Sequence, residues 1–177
     1  MNPSRALSLG ITAIYQELTN VKGLSIAENI YLGAQPTMGG FIDYHKLYHD
    51  SMQIQEQVGL GHLKPSTMLG HLSTAEQQLV EIGRAYSKDL KVIIMDEPTS
   101  ALNQEETDKL MDIIRKLKAE GKGIIYISHK LDEVFTIADR VQVLRNGESV
   151  YECDIHDTTK EAIINSMCGR ELKDMYP

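Results

Sequence analysis

The spacing of apolar residues changes period several times along this chain, and each change marks an element. Val92, Ile93, Ile94 and Met95 form an unbroken apolar run that meets Asp96, Glu97 and Pro98 at once. A short apolar run bounded by polar residues suits a strand buried on both faces, as in a parallel sheet. The Glu97-Pro98 step favours a turn and ends the strand. Ile124, Ile125, Tyr126 and Ile127, continued by Ser128, predict a second buried strand. Residues 11–15, rich in β-branched and aromatic side chains, predict a third. Between the first two, Leu110, Ile113, Ile114 and Leu117 recur at i, i+3, i+4 and i+7, predicting an amphipathic helix over 105–120 that stops at Gly121 and Gly123. Residues 141–148 alternate and carry Asn146-Gly147, which predicts a β-hairpin with its second strand at about 149–153.

Residues 21–88 read as helical rather than alternating. Ser25 and Glu28 fit a capping box, opening a helix with Ile26, Ile30 and Tyr31 on one side that stops near Gly33. Residues 35–40, with Pro36, Gly39 and Gly40, predict a loop. Asp43 caps a second helix, where Leu47, Ile54 and Val58 recur at helical spacing before Gly59 and Gly61. Ser73 and Glu76 form another capping box, followed by Ala75, Leu79, Ile82 and Tyr86 along one face. A short helix over 4–10 opens the chain. A last one is predicted from Thr158 and Glu161, with Ile164 and Met167 inward and Gly169 at its end.

Composition narrows the class. The chain has 177 residues, 42% hydrophobic and 24% charged, enough for one soluble domain with a real core. A net charge of −7 argues against a general nucleic-acid binder, so no nucleic-acid partner is expected. Cys153 and Cys168 have no metal-type or redox-type spacing and read as reduced structural thiols. No apolar stretch approaches the ~20 residues that span a bilayer, and the start lacks the apolar core of a signal peptide. A cytoplasmic protein is expected, with docking on a membrane protein left open. His45, His49 and His62 lack a neighbouring ligand pattern and read as surface or packing residues.

The candidate chemistry gathers in four places. Asp96 and Glu97 fall at the carboxyl end of a central strand, the edge where open α/β sheets bind ligands. Adjacent carboxylates there imply a cation or a proton-transfer task, because an unpaired buried carboxylate is costly. Gln16 leaves one predicted strand and His129 another. The helix that Ser73 begins is an anion site, with free N–H groups and a partial positive charge.

These four stretches, in this order, resemble the motifs of ATP-binding cassette (ABC) ATPases. Four apolar residues followed by Asp96-Glu97-Pro98-Thr99-Ser100-Ala101-Leu102 are similar to the Walker B and D-loop segment. Ile14-Tyr15-Gln16-Glu17-Leu18 resembles the Q-loop of the carbohydrate-importing branch, and Ile127-Ser128-His129-Lys130 the H-loop. Leu72-Ser73-Thr74-Ala75-Glu76-Gln77 resembles the signature motif, most often Leu-Ser-Gly-Gly-Gln. Thr74 and Ala75 replace two glycines and narrow a backbone approach to phosphate. Glu76 replaces glutamine and adds negative charge there, unless the capping box occupies it.

The resemblance implies that Asp96 holds Mg²⁺, that Glu97 polarises the attacking water, and that Gln16 contacts both. It implies that His129 contacts the γ-phosphate of ATP. Ser73, with Thr74, Ala75 and Glu76, would grip the nucleotide of an opposite cassette, and Ser100 joins the nucleotide-binding residues. The expected fold is α/β, a mostly parallel sheet with flanking helices of the P-loop NTPase-like ABC type plus an inserted helical subdomain. The helical subdomain is expected at about 21–88, and the rest of the catalytic core at about 1–20 and 89–177.

None of the 13 glycines begins a G-x-x-x-x-G-K-[ST] loop, so the N-terminal Walker A part of this fold is expected to be missing and part of the sheet core exposed. The residues from Gly169 to Pro177 resemble the junction leading to the second cassette of a tandem sugar-importer ATPase. The expected function is therefore the ATP-hydrolysing subunit, in part, of a sugar importer. Its partners would be a second cassette, membrane permease subunits and, indirectly, a periplasmic or extracellular sugar-binding protein, at the inner face of the cell membrane. The alternative is a non-catalytic docking module that binds a permease or a complete cassette. An ABC protein of translation or DNA repair fits less well, because no basic extension or further insertion is visible.

Overall fold

The computed structural model describes residues 3–16, 19–88 and 90–169. Glu17 and Leu18 of the expected Q-loop and the expected inter-cassette junction from residue 170 onward lie outside them. The chain divides into two compact units, Met1–Ile127 and Ser128–Pro177.

In the first unit, helix α1 (Pro3–Ser8) leads into strand β1 (Ile11–Ile14). Helix α2 (Ile26–Ile30) starts at the predicted Ser25 box. Its first two amides, Ile26 and Ala27, donate to Thr67 O at 2.9 Å and Pro65 O at 3.0 Å. The predicted loop at 35–40 is instead a small antiparallel hairpin, β2 (Thr37–Met38) with β3 (Phe41–Ile42). Gly39 and Gly40, at φ 61° and 88°, supply the two left-handed residues a tight hairpin turn needs. Helix α3 (Tyr44–Gln57) is capped by Asp43 as predicted and ends at Val58, before Gly59 at φ 79°.

Helix α4 (Thr74–Tyr86) starts at the Ser73 box. Its covered surface is broader than an amphipathic stripe: Leu79 and Tyr86 are half-buried, whereas Gln77, Gln78 and Glu81 are buried with Val80, Ile82 and Ala85. Helices α2 and α3 both pack on α4, so polar positions that periodicity assigns to solvent lie inside. Ile26, Ile30, Leu47, Leu60, Leu69 and Ile82 are fully buried in this helical part.

Strand β4 (Val92–Asp96) pairs in parallel with β1 on one side and β5 (Gly123–Ile127) on the other. Helix α5 (Gln104–Ala119) connects β4 to β5, with Leu110, Ile113, Ile114 and Leu117 buried as predicted. Neighbours in register share a face, so Ile14, Ile93 and Met95 line one side of the sheet and are at most 3% exposed. The other side carries Ile94, Asp96, Ile125 and Ile127. Ile125 is 52% and Ile127 47% exposed, so β5 is not the doubly buried strand its sequence predicts. The partly exposed sheet core expected from the sequence is this face.

In the second unit, helix α6 (Leu131–Ile137) precedes the antiparallel pair β6 (Arg140–Arg145) and β7 (Glu148–Asp154). Asn146 and Gly147, at φ 52° and 83°, make the predicted tight turn. Helix α7 (Lys160–Cys168) is capped by Thr159, not Thr158, because the Thr158 hydroxyl lies 2.8 Å from that of Tyr151. The inward residue is Ile163, while Ile164 and Met167 are 47% and 42% exposed. Gly169 ends α7 in the left-handed region.

Candidate functional site

The parallel register decides what meets at the carboxyl edge of the sheet. Ile14 pairs with Met95, and Asp96 with Ile127. The residues that follow β1 therefore leave the sheet beside the end of β4. Gln16, two residues past β1, is exposed, and Asp96, the last residue of β4, is half-buried. The Glu97 amide continues the ladder for one more step, donating to Ile127 O at 2.9 Å.

Glu97 then turns the chain. Its φ is 48°, a left-handed value for a residue with a side chain. Its carbonyl accepts from the Ser100 amide at 3.1 Å, closing a turn with Pro98 at the position proline favours. Pro98 and Thr99 are buried beneath this turn, Glu97 Oε2 is shielded from solvent, and Ser100 is exposed. Asn103 caps α5 in a third capping box with Glu106, which anchors the far end of the turn.

The start of α4 is a separate feature of the first unit. The Ser73 amide donates to Glu76 Oε2 at 2.8 Å, and Ser73 Oγ accepts from the Glu76 amide at 3.2 Å. The Glu76 carboxylate is thus held in the capping box, and His62 Nε2 lies 3.7 Å from its other oxygen. Ser73 and Thr74 are exposed, while Ala75 is buried. In α2 the first amides are taken by the Pro65 and Thr67 carbonyls, whereas at the start of α4 Ser73 and Thr74 are exposed.

Of the predicted residues, the sheet edge collects Gln16, Asp96, Glu97 and the turn to Ser100, and α4 collects Ser73, Thr74, Ala75 and Glu76. His129 lies in the second unit, two positions past the end of β5 along the chain, and is exposed. Beside it, Ser128 Oγ accepts from the Lys130 amide at 3.0 Å.

Reasoning from sequence missed a set of buried polar groups between these two places. Thr19 donates from its amide and its hydroxyl to Glu81 Oε1, each at 2.7 Å. Arg84 reaches Asn29 O at 2.9 Å and Asn20 Oδ1 at 2.8 Å. Burial holds the Arg84 guanidinium below its usual range, and the Glu81 charge opposes this only in part. Asn29 is fully buried and donates to the Val21 and Ser25 carbonyls. The signal available in the sequence was Glu81 between Val80 and Ile82 on an amphipathic helix.

With this geometry described, comparison with known proteins places the chain. Residues 2–100, more than half of it, match the ABC transporter family, and the chain belongs to that family. Its fold is α/β and P-loop NTPase-like, a parallel sheet with flanking helices. It superposes on the ADP conformation of an ATP-binding cassette of an ABC transporter with a TM-score of 0.72 and 26% identity, covering 99% of this chain and 71% of that one. It is 41% identical over 172 residues to the galactose/methyl galactoside import ATP-binding protein MglA of Pasteurella multocida, covering 97% of this chain and 34% of that protein. It is 44% identical over 168 residues to the xylose import ATP-binding protein XylG of Thermoanaerobacter pseudethanolicus, covering 95% and 33%. The chain spans about a third of the length of the curated relatives it matches.

Proposed function

We propose that this chain is part of an ATP-hydrolysing subunit of a sugar importer, with the residues at the sheet edge acting on ATP. The reading is supported by the parallel β1–β4 register, in which the chain after Ile14 leaves the sheet at the edge that carries Asp96 and Glu97. Two curated relatives are import ATP-binding proteins named for galactose and xylose, which supports a sugar as cargo.

Glu97 accepts a hydrogen bond from the attacking water and draws off its proton as the water oxygen bonds to the γ-phosphorus and the bond from that phosphorus to the bridging oxygen breaks, releasing ADP. Such a base contributes about 10²–10⁴ in rate. Gln16 orients the same water through its side-chain amide. The donor set at the edge fits Mg²⁺: Asp96 and Gln16 offer hard oxygen ligands, and this ion needs only one or two from protein because it retains waters and binds substrate phosphates. When bound, it would offset the negative charge of the phosphates. His129 donates a hydrogen bond to the γ-phosphate. Ser73, with the amides of Thr74 and Ala75, binds the nucleotide of a second cassette, and Ser100 lies in the turn that borders that interface. Glu76 stays in its capping box, where the Ser73 amide and the helix start partly offset its charge. The helical part, at about 21–88, contacts a permease at the inner face of the membrane, so hydrolysis moves the permease. Among the described residues no helix is long and apolar enough to cross a membrane.

The test is titration of the isotope-labelled chain with Mg-ATP. Weak binding is expected, with amide shifts at Gln16, Asp96 and Glu97 that Asp96→Asn abolishes. Shifts confined to other regions, or micromolar affinity that Asp96→Asn leaves intact, would remove these residues from the site.

A further inference from the structure

Helix α3 presents two histidines to solvent. His45 and His49 are both exposed, whereas Leu47, Ser51 and Gln55 form the buried side of the helix. From sequence alone the pair reads as surface or packing residues, because no ligand pattern stands beside it. The fold supplies what that reading lacked. Four positions apart on a helix, the two side chains are neighbours, about 5–6 Å apart at Cβ. Two rings on one helix face at this spacing can share an ion, as the paired histidines of helical zinc sites do.

A second observation concerns the partner of the His49 ring. Its Nδ1 lies 3.2 Å from Asp50 Oδ1. Lys46, 2.8 Å from Asp50 Oδ2, and then the His49 ring hold the Asp50 carboxyl below its usual range, while burial opposes them. An ionised carboxylate only accepts, so Nδ1 carries the proton and the lone pair is left on Nε2. A carboxylate behind the far nitrogen is the usual support of a metal-binding histidine; it fixes the tautomer and raises ligand basicity. The same carboxylate engages the Lys46 ammonium, whose charge would otherwise oppose a cation on this face.

We propose that His45 and His49 form a two-histidine chelate for a divalent ion of the nickel, copper or zinc type, with Asp50 as the positioning residue behind His49. Imidazole suits these ions, whereas Mg²⁺ takes hard oxygen ligands. Among the described residues no group of three or more His, Cys, Asp or Glu could hold a metal, so water completes the shell of the ion. An ion held there spans one turn of α3 and stabilises the native chain, because the unfolded chain does not hold the two rings at this spacing. The site does not rest on the ATPase reading.

Titration of the full chain with ZnCl₂ in the absence of nucleotide, followed by calorimetry and by the histidine ring resonances, tests this. One Zn²⁺ per chain is expected, with ring shifts at His45 and His49 and a raised thermal midpoint. His45→Ala or His49→Ala weakens binding about tenfold or more, and Asp50→Ala about 10–100-fold, the scale for loss of such a support. MgCl₂ moves neither ring. The thermal midpoint without metal checks that each variant is folded. Unchanged affinity in His45→Ala, shifts at His62, His71 or His156 instead, or equal binding of Mg²⁺ overturns the chelate. Native affinity in Asp50→Ala overturns the positioning role.

Discussion

Glu97 combines a backbone constraint with the chemical role proposed for it. Residues before proline favour extended backbone, and the sequence accordingly predicts a strand end there. The observed φ of 48° runs against that preference. Its amide stays on the β5 ladder through Ile127 while its carbonyl closes the turn to Ser100, so tertiary hydrogen bonds outweigh the local rule. A non-glycine residue in this region carries about 1–2 kcal/mol of strain. Glu97→Val is therefore expected to lower unfolding free energy by about 1–2 kcal/mol more than Glu97→Asn, since asparagine visits the left-handed region readily; urea titration of both variants measures the difference. Equal losses would mean that the bend is not strained. At this scale Asp96, Glu97 and Gln16 were legible because they interrupt apolar runs. Glu81 and Asn29 were not: one charged residue within a helical pattern reads as solvent-facing until the helices that cover it are known.

Helix starts were the most legible elements. Ser25 with Glu28 and Ser73 with Glu76 both form the reciprocal bonds their spacing predicts. Asn103 with Glu106 does the same with a less familiar first residue. The Ser25 hydroxyl and then its amide hold the Glu28 carboxyl below its usual value near 4.5; Tyr44 adds to this and burial opposes it. A carboxyl with a lowered folded value adds stability that is complete above its unfolded value and lost as pH falls through the folded one. The stability gap between the native chain and Glu28→Gln should thus be open at neutral pH and narrow well below 4.5. Denaturation at both acidities checks this, and a gap of constant size would contradict it. Where caps failed as a guide, the reason was competition for a hydroxyl. Tyr151 takes Thr158, the start of α7 moves to Thr159, and the inward residue becomes Ile163. The small β2–β3 hairpin was hidden because two glycines signal a break whether or not strands flank them.

For the molecule as a whole, the parallel class followed from pattern. Ile125 and Ile127 leave one face of the sheet partly exposed, and exposed apolar patches favour association. Ile125→Thr is expected to reduce concentration-dependent self-association, read by sedimentation velocity, while the thermal midpoint stays close to that of the native chain; undiminished association would exonerate this face. The division at Ile127 was not legible, because no linker composition marks it. The pairing of Ile14 with Met95 has a last consequence, in time rather than space. It joins residues about 80 positions apart, which a ribosome adds over roughly 4–16 seconds at about 5–20 residues per second. Through that interval β1 has been made and its neighbour has not, so the nascent strand stays available to any chaperone that binds extended apolar segments.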